Sequence, residues 1–202
     1  MTLAEAIGLD ALSMPKLAEH LGIGVTSIYW YFRNKNDLIE ALTVVAAQRF
    51  HDVMWVPPDI AWDERLFGSF LRLRAAMRAD TVCCDLIFMR GGRASEAALT
   101  HMWQDTEISI ARMIESGFTP HDALQNIVIL SLYTRGSVVL ERQMLRDGIE
   151  PDAPTPVPDR FALFASTLKN QNTRGVSERA YADQLRLIID GMALRLQRRK
   201  KS

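Results

Sequence analysis

Residues 13–35 read SMPKLAEHLGIGVTSIYWYFRNK, and this stretch decides the fold. Ser13 is an N-cap residue followed by Lys16, Leu17, Ala18 and Leu21 at helical spacing, and Gly22 ends the segment. A second short helix is predicted from about Val25 to Phe32, so Gly22-Ile23-Gly24 forms the tight glycine-bearing turn between two helices. Leu17, Ala18, Leu21, Ile23 and Ile28 are spaced to make the shared inner face, and Ala18 keeps the crossing close. Val25, Thr26, Ser27, Tyr29 and Trp30 are left for the first turn and outer face of the second helix. The first turn of such a helix can aim N–H groups at phosphates and side chains at base edges. The same pattern also describes a helical hairpin whose aromatics only pack on other helices.

Outward from this unit the whole chain reads as all-α, with about nine helices and no alternating run of the strand type. Residues 2–8 read as the end of a helix closed by Gly8, with its beginning expected to lie upstream. The polar run Arg33-Asn34-Lys35-Asn36-Asp37 starts a long helix through Leu38, Leu42, Val45 and Phe50. Pro57-Pro58 ends this part, so the boundaries are drawn at 1–50 for a helix-turn-helix domain and 51–202 for a larger helical domain. Further helices are predicted from Asp63 to Ala79, Thr81 to Arg90, Ser95 to Ser116, Thr119-Pro120 to Arg146, Asp159 to Lys169, and Ser177 onward. Four prolines between Ile149 and Pro158 mark a loop.

Composition excludes several classes. The 202 residues are 48% hydrophobic and 24% charged, ordinary globular usage, which rules out a disordered chain and a disulfide scaffold. Cys83 and Cys84 are sequence neighbours, poorly placed for a bridge, and read as packed small hydrophobes in a reducing compartment. The apolar stretch Ala123–Leu140 is broken by Gln125, Asn126, Ser131 and Arg135, so no membrane span is expected and the protein reads as cytoplasmic. Enzyme motifs such as a phosphate loop, GxSxG or a Cys/His pair are missing, and His20, His51, His101 and His121 are scattered. No catalytic residues, cofactor or metal are therefore assigned.

The run from Lys16 to Leu38 closely resembles the tetracycline-repressor (TetR) family, whose hallmark after the recognition helix is matched by Tyr29 to Lys35. Weaker similarity continues through Gly117-Phe118-Thr119, Ala123-Leu124, Gly136, Leu140-Glu141 and Leu187 to Gly191, which looks like the tetracycline-type branch. The resemblance implies a dimeric, ligand-released repressor on a palindromic double-stranded DNA operator. It places Val25 and Thr26 against bases in the major groove, Ser27, Tyr29 and Trp30 on the backbone, Lys35 on a phosphate, and Ser13 at its cap and near phosphate. Pro15 stands where tetracycline-type repressors carry a base-reading arginine, so that contact is absent. Residues 1–50 hold Lys16, Arg33, Lys35 and Arg49 against five acids, a charge of 4 − 5 = −1, and a basic N-terminal extension is expected to supply the missing phosphate contacts. The competing reading is a helical ligand-binding or interaction protein without effective DNA binding.

For the second domain the resemblance implies a small-molecule pocket. His51 matches a ligand-contacting histidine of the branch, and Ser69, Leu73, Phe88, Met89, Trp103 and Tyr133 are the other candidates, with Trp55, Trp62, Phe67, Phe70, Met77 and Met113 as further apolar lining or core. The branch binds its drug as a metal chelate through a histidine on the sixth helix. The corresponding Ile87-Phe88-Met89 has no imidazole, so no metal and an apolar or aromatic effector are predicted, with Glu141 only echoing the branch's acid on the eighth helix. The last two long helices are apolar on more than one side. Leu124, Val128, Leu185, Ile188, Met192 and Leu196 are accordingly expected at the homodimer interface, with Arg198-Arg199-Lys200-Lys201 as a solvated tail.

Overall fold

Side chains at the helix starts set the architecture of the computed structural model, which describes residues 1–54, 57, 59–89, 96–151, 157–169 and 176–201. Ten α-helices and no strand are found among them: α1 Thr2–Ile7, α2 Met14–Leu21, α3 Val25–Tyr31, α4 Lys35–Met54, α5 Trp62–Ala79, α6 Thr81–Cys84, α7 Glu96–Glu115, α8 Pro120–Arg146, α9 Ala162–Lys169 and α10 Glu178–Lys201. The expected caps at Ser13, Thr119 and Ser177 are made by side-chain oxygens accepting from Lys16, Asp122 and Ala180 N–H groups at 3.4, 3.2 and 3.2 Å. Such caps are each worth about 1 kcal/mol. The predicted cap at Ser95 and the break at Gly91-Gly92 lie outside the described residues.

Two segments differ from simple helices. The stretch predicted from Thr81 to Arg90 is one α-turn capped by Asp80, running on as a π-helix over Asp85–Met89. Residues 159–169 open with a 3-10 turn at Asp159–Phe161 before α9. The ten helices fall on the ten helical segments marked in the sequence, one more than the count of about nine.

Packing groups the chain into two units, Met1–Trp55 with Ala75–Ile108, and Val56–Arg74 with Ser109–Ser202. In the first unit, Ala46, Ala47 and Phe50 of α4 are buried, as are Met77 and the α6 residues Cys83 and Cys84. Phe50 meets Phe88 edge to face at 5.5 Å. Arg49 ties the rim by reaching Glu5 of α1 and Asp80, each at 3.2 Å. Burial foremost, and then the neighbouring Asp80 carboxylate, push the Cys83 thiol up to about 12. Because the thiolate is the reactive form, Cys83 is expected to resist a disulfide reagent in the native protein at pH 8 and to react fully in denaturant, as a thiol count would record.

The second unit is built on α5, α8 and α10. Leu66, Phe70 and Leu73 of α5, Ile127, Leu130 and Val138 of α8, and Leu185, Ile189 and Met192 of α10 are buried, and Trp62 packs edge to face on Phe118 at 4.8 Å. By length and composition α8 could cross a bilayer, but Asn126, Thr134, Ser137 and Glu141 on it are buried inside the protein. An ion pair joins α5 to α8 here: Arg74 Nη2 is 2.9 Å from Glu141 Oε2, and its Nε donates to Ser137 Oγ at 3.2 Å. Arg74 also donates to the Val176 carbonyl and lies 4.8 Å over the Tyr181 ring. Tyr181 shares a hydroxyl hydrogen bond with Thr134 at 2.7 Å and donates to the Phe70 carbonyl at 3.2 Å, and burial pushes its phenol up to about 12.

The stripe expected to face a partner is corrected in part. Leu185, Met192 and Leu196 are buried by the chain itself, and Ile188 is half-buried, because the stripe from Tyr181 to Leu196 packs into the unit's own core. The open apolar side of α10 carries Leu187, 72% exposed, and Leu194, while Leu124, Val128 and Leu132 of α8 remain exposed. The predicted basic tail is helical through Lys201, and Arg199 is paired with Asp122.

Candidate nucleic-acid interface and effector-facing residues

Two small features shape the helix-turn-helix. Gly22 sits at φ 66°, a left-handed conformation that glycine adopts without cost, and lets the Ile23 N–H return to the Ala18 carbonyl at 3.1 Å. Gly24 then starts α3, with the Ser27 N–H on its carbonyl at 2.9 Å. Ala18 and Ile28 are each 3% exposed and make the close crossing, as expected. Leu17 is half-buried, whereas Leu21 and Ile23 are exposed, because they lie at the end of α2 and in the turn. Met14, Leu12, Leu9 and Ala4 fill the interior in their place.

Ile28 is the one buried residue of α3. Val25, Thr26, Ser27 and Tyr29 are exposed, and Trp30 is 85% exposed, so the outer face offers methyls, two hydroxyls, a phenol and an indole N–H. Burial in a core would normally stabilise a tryptophan by several kcal/mol, and the outer face of α3 leaves this aromatic surface outside the core of its own chain. Tyr31 is as open as Trp30 and was not singled out from the sequence, where it reads only as part of the aromatic run.

The start of α4 is fixed by Asn34, whose side-chain oxygen accepts from Asn36 and Asp37 N–H groups at 2.8 and 3.1 Å, while Asp37 accepts from the Arg33 N–H at 3.0 Å. Lys35 Nζ donates to the Asp10 carbonyl at 3.1 Å and Lys16 Nζ to the Ala11 carbonyl at 3.1 Å. Both ammonium groups therefore hold the segment between α1 and α2. Ser13 is half-buried and engaged in its cap.

The effector candidates fall into both units. In the first, His51 Nδ1 lies 3.0 Å from Asp105 Oδ2 and links α4 to α7; Phe88 is half-buried, and Met89 and Trp103 are exposed. In the second, Leu73 is buried, Ser69 is half-buried, and Tyr133 stacks on Tyr181 at 5.2 Å while donating to Gln184 Oε1 at 2.7 Å. Burial raises the Tyr133 phenol, with Arg74 opposing. Trp55 lies outside the described residues.

A drug–metal chelate of the tetracycline type does not fit these residues. Ile87, Phe88 and Met89 lie in the π-helix without an imidazole, and Glu141 is buried against Arg74. Sequence reading missed the Arg74–Glu141 pair. Its signal was an arginine standing among Leu66, Phe70, Leu73 and Met77 on the inner stripe of α5.

A helix-turn-helix followed by a larger all-helical region defines a class of DNA-binding regulators. Residues 1–42 match the family model of bacterial regulatory proteins of the tetR family, and residues 56–196 match the tetracycline repressor-like C-terminal domain. The chain belongs to the TetR family. It is 34% identical over 168 residues to an HTH-type transcriptional repressor of Mycobacterium tuberculosis, a match covering 82% of this chain and 63% of that one. It thus spans less than two thirds of that relative. The class A tetracycline repressor protein of Escherichia coli, from transposon 1721, is 27% identical over 199 residues, covering 96% and 87% of the two chains. The crystal structure of a possible TetR family transcriptional regulator from Streptomyces coelicolor has the same fold, with a TM-score of 0.70 at 24% identity over 96% of this chain and 94% of that one.

Proposed function

We propose that this protein is a ligand-responsive transcriptional repressor that acts in the cytoplasm as a homodimer on a palindromic duplex DNA operator. The observation that carries this reading is the outer face of α3, left open on a helix pair closed by Ala18 and Ile28. Residues 1–50 form the DNA-binding domain and residues 51–202 the ligand-binding and dimerisation domain. Val25 and Thr26 reach base edges; Ser27, Tyr29 and Trp30 seat the helix on the backbone; Ser13 and Lys35 stand beside phosphates. Lys35 exchanges its carbonyl partner for a phosphate oxygen on binding.

Two such helices must lie about 34–36 Å apart to enter successive major grooves. The effector is an apolar or aromatic molecule touching His51, Phe88, Met89 and Trp103. Because His51 stands on α4, the helix that follows α3 and Asn34, a ligand there changes the setting of the recognition helix. It releases DNA to the extent that it binds the misaligned state more tightly.

Selection from random duplex DNA, followed by sequencing of what survives a moderate-salt wash, tests this reading. An enriched inverted repeat, with affinity falling as salt rises, is the expected result. Failure to enrich any sequence would overturn it in favour of a helical ligand-binding protein without an operator.

A further inference from the structure

The residues of α3, VTSIYWY, include no Arg, Lys, Asn, Gln, Asp or Glu. Those six side chains are the ones that read three of the four bases: Arg and Lys on guanine, Asn and Gln on adenine, Asp and Glu on the amino group of cytosine. Helical spacing sets Val25, Thr26, Tyr29 and Trp30 on the arc opposite the buried Ile28, and all four are exposed. Thr26, Tyr29 and Trp30 carry one polar group each, and a single hydroxyl or N–H meets several base edges alike. What the first turn of α3 offers besides is carbon, the two methyls of Val25 and the methyl of Thr26.

Nearby charges do not fill the gap. The Lys35 and Lys16 ammonium groups are held on the Asp10 and Ala11 carbonyls, each at 3.1 Å. Arg33 follows the C-cap residue Phe32, at the other end of α3 from Val25. Contacts that such cations make with phosphate add affinity and carry no sequence information directly. The approach to α3 is aliphatic as well, since Leu21 and Ile23 are exposed beside the turn. Gly24, between Ile23 and Val25, has open space where a Cβ would stand, so no neighbouring side chain closes over this point.

One base remains. Among the four, thymine alone carries a C5-methyl group in the major groove, and apolar side chains recognise it by contact. We infer that Val25, assisted by the Thr26 methyl, is the specificity-determining residue of this protein and selects operators through thymine methyl groups in each half-site. The inference rests on the operator-binding reading above and adds which base the recognition helix takes. Each methyl buried in this way contributes about fourfold in affinity, the equivalent of ~0.8 kcal/mol. A symmetric operator presents the contact twice, so losing both costs about 15-fold.

The test uses the full chain and the inverted repeat enriched from random duplex DNA. Thymines are replaced by deoxyuridine, which lacks only the C5 methyl, at one symmetric pair of positions at a time, and affinity is read by electrophoretic titration at fixed salt. At one or two positions per half-site, the uracil operator should bind about 15-fold more weakly than the thymine operator. Val25→Ala removes both γ-methyls and should bring that ratio below about twofold. Thr26→Ser keeps the hydroxyl and removes only the methyl, and should lower the ratio in part. Melting temperatures should stay unchanged, since both side chains are exposed. Indifference to uracil at every position would overturn the inference and leave the repressor reading intact. So would a uracil penalty that Val25→Ala leaves in full, because the methyl would then be felt through DNA shape. Failure to enrich any operator would instead overturn the repressor reading, and this inference with it.

Discussion

Replacing Arg74 with methionine is expected to destabilise the protein by about 3–5 kcal/mol, because it removes the guanidinium paired with the buried Glu141 carboxylate at 2.9 Å. For a chain of this length, that corresponds to a fall in melting temperature of roughly 10 °C. The geometry makes the cost large. Arg74 and Glu141 are 2% and 4% exposed, their atoms lie 2.9 Å apart, and the same guanidinium serves Ser137, the Val176 carbonyl and the Tyr181 ring. Water therefore cannot replace what methionine removes. The double variant Arg74→Met with Glu141→Leu should recover much of the loss, since both charges of the pair are removed together. Urea unfolding of the two single variants and the double variant would measure the coupling. Additive effects would show that the pair does not act as a unit.

Thr26→Ala with Trp30→Ala is expected to reduce affinity for the selected operator by at least tenfold and up to several hundredfold, while melting temperature stays within a degree or two. Each base-edge contact contributes about 1–3 kcal/mol of discrimination, and the loss of a backbone-seating side chain adds to this. Stability should not change because both side chains are exposed and neither is in the small core around Ala18 and Ile28. Ile28→Ala gives the opposite profile, with stability lost first. Electrophoretic titration at fixed salt, beside thermal melts, separates the two. Unaltered DNA affinity in the Thr26/Trp30 variant would place the contact surface elsewhere.

Much of the architecture was legible in residues whose effects are local. Ser13, Thr119 and Ser177 cap where they were expected to, because an N-cap hydrogen bond is made within one turn of chain. Gly22 turns the chain because of its own backbone freedom. The outward placing of Val25, Thr26, Tyr29 and Trp30 followed from helical spacing once Ala18 and Ile28 were on the inside. The π-helix at Asp85–Met89 was not legible, since nothing in DLIFM distinguishes it from an α-helical turn.

Helices and which side chains can share a face were thus determined by the sequence alone, since propensity, capping and periodicity act over a few residues. Which of two apolar stripes on one helix turns inward was decided only by tertiary structure. On α10 both Leu185-Met192-Leu196 and Leu187-Leu194 satisfy helical spacing, and the fold buries the first and leaves the second open. The partner of Arg74 lies 67 residues away in sequence, on a different helix. Such pairings depend on the relative placement of distant helices, which no local pattern encodes.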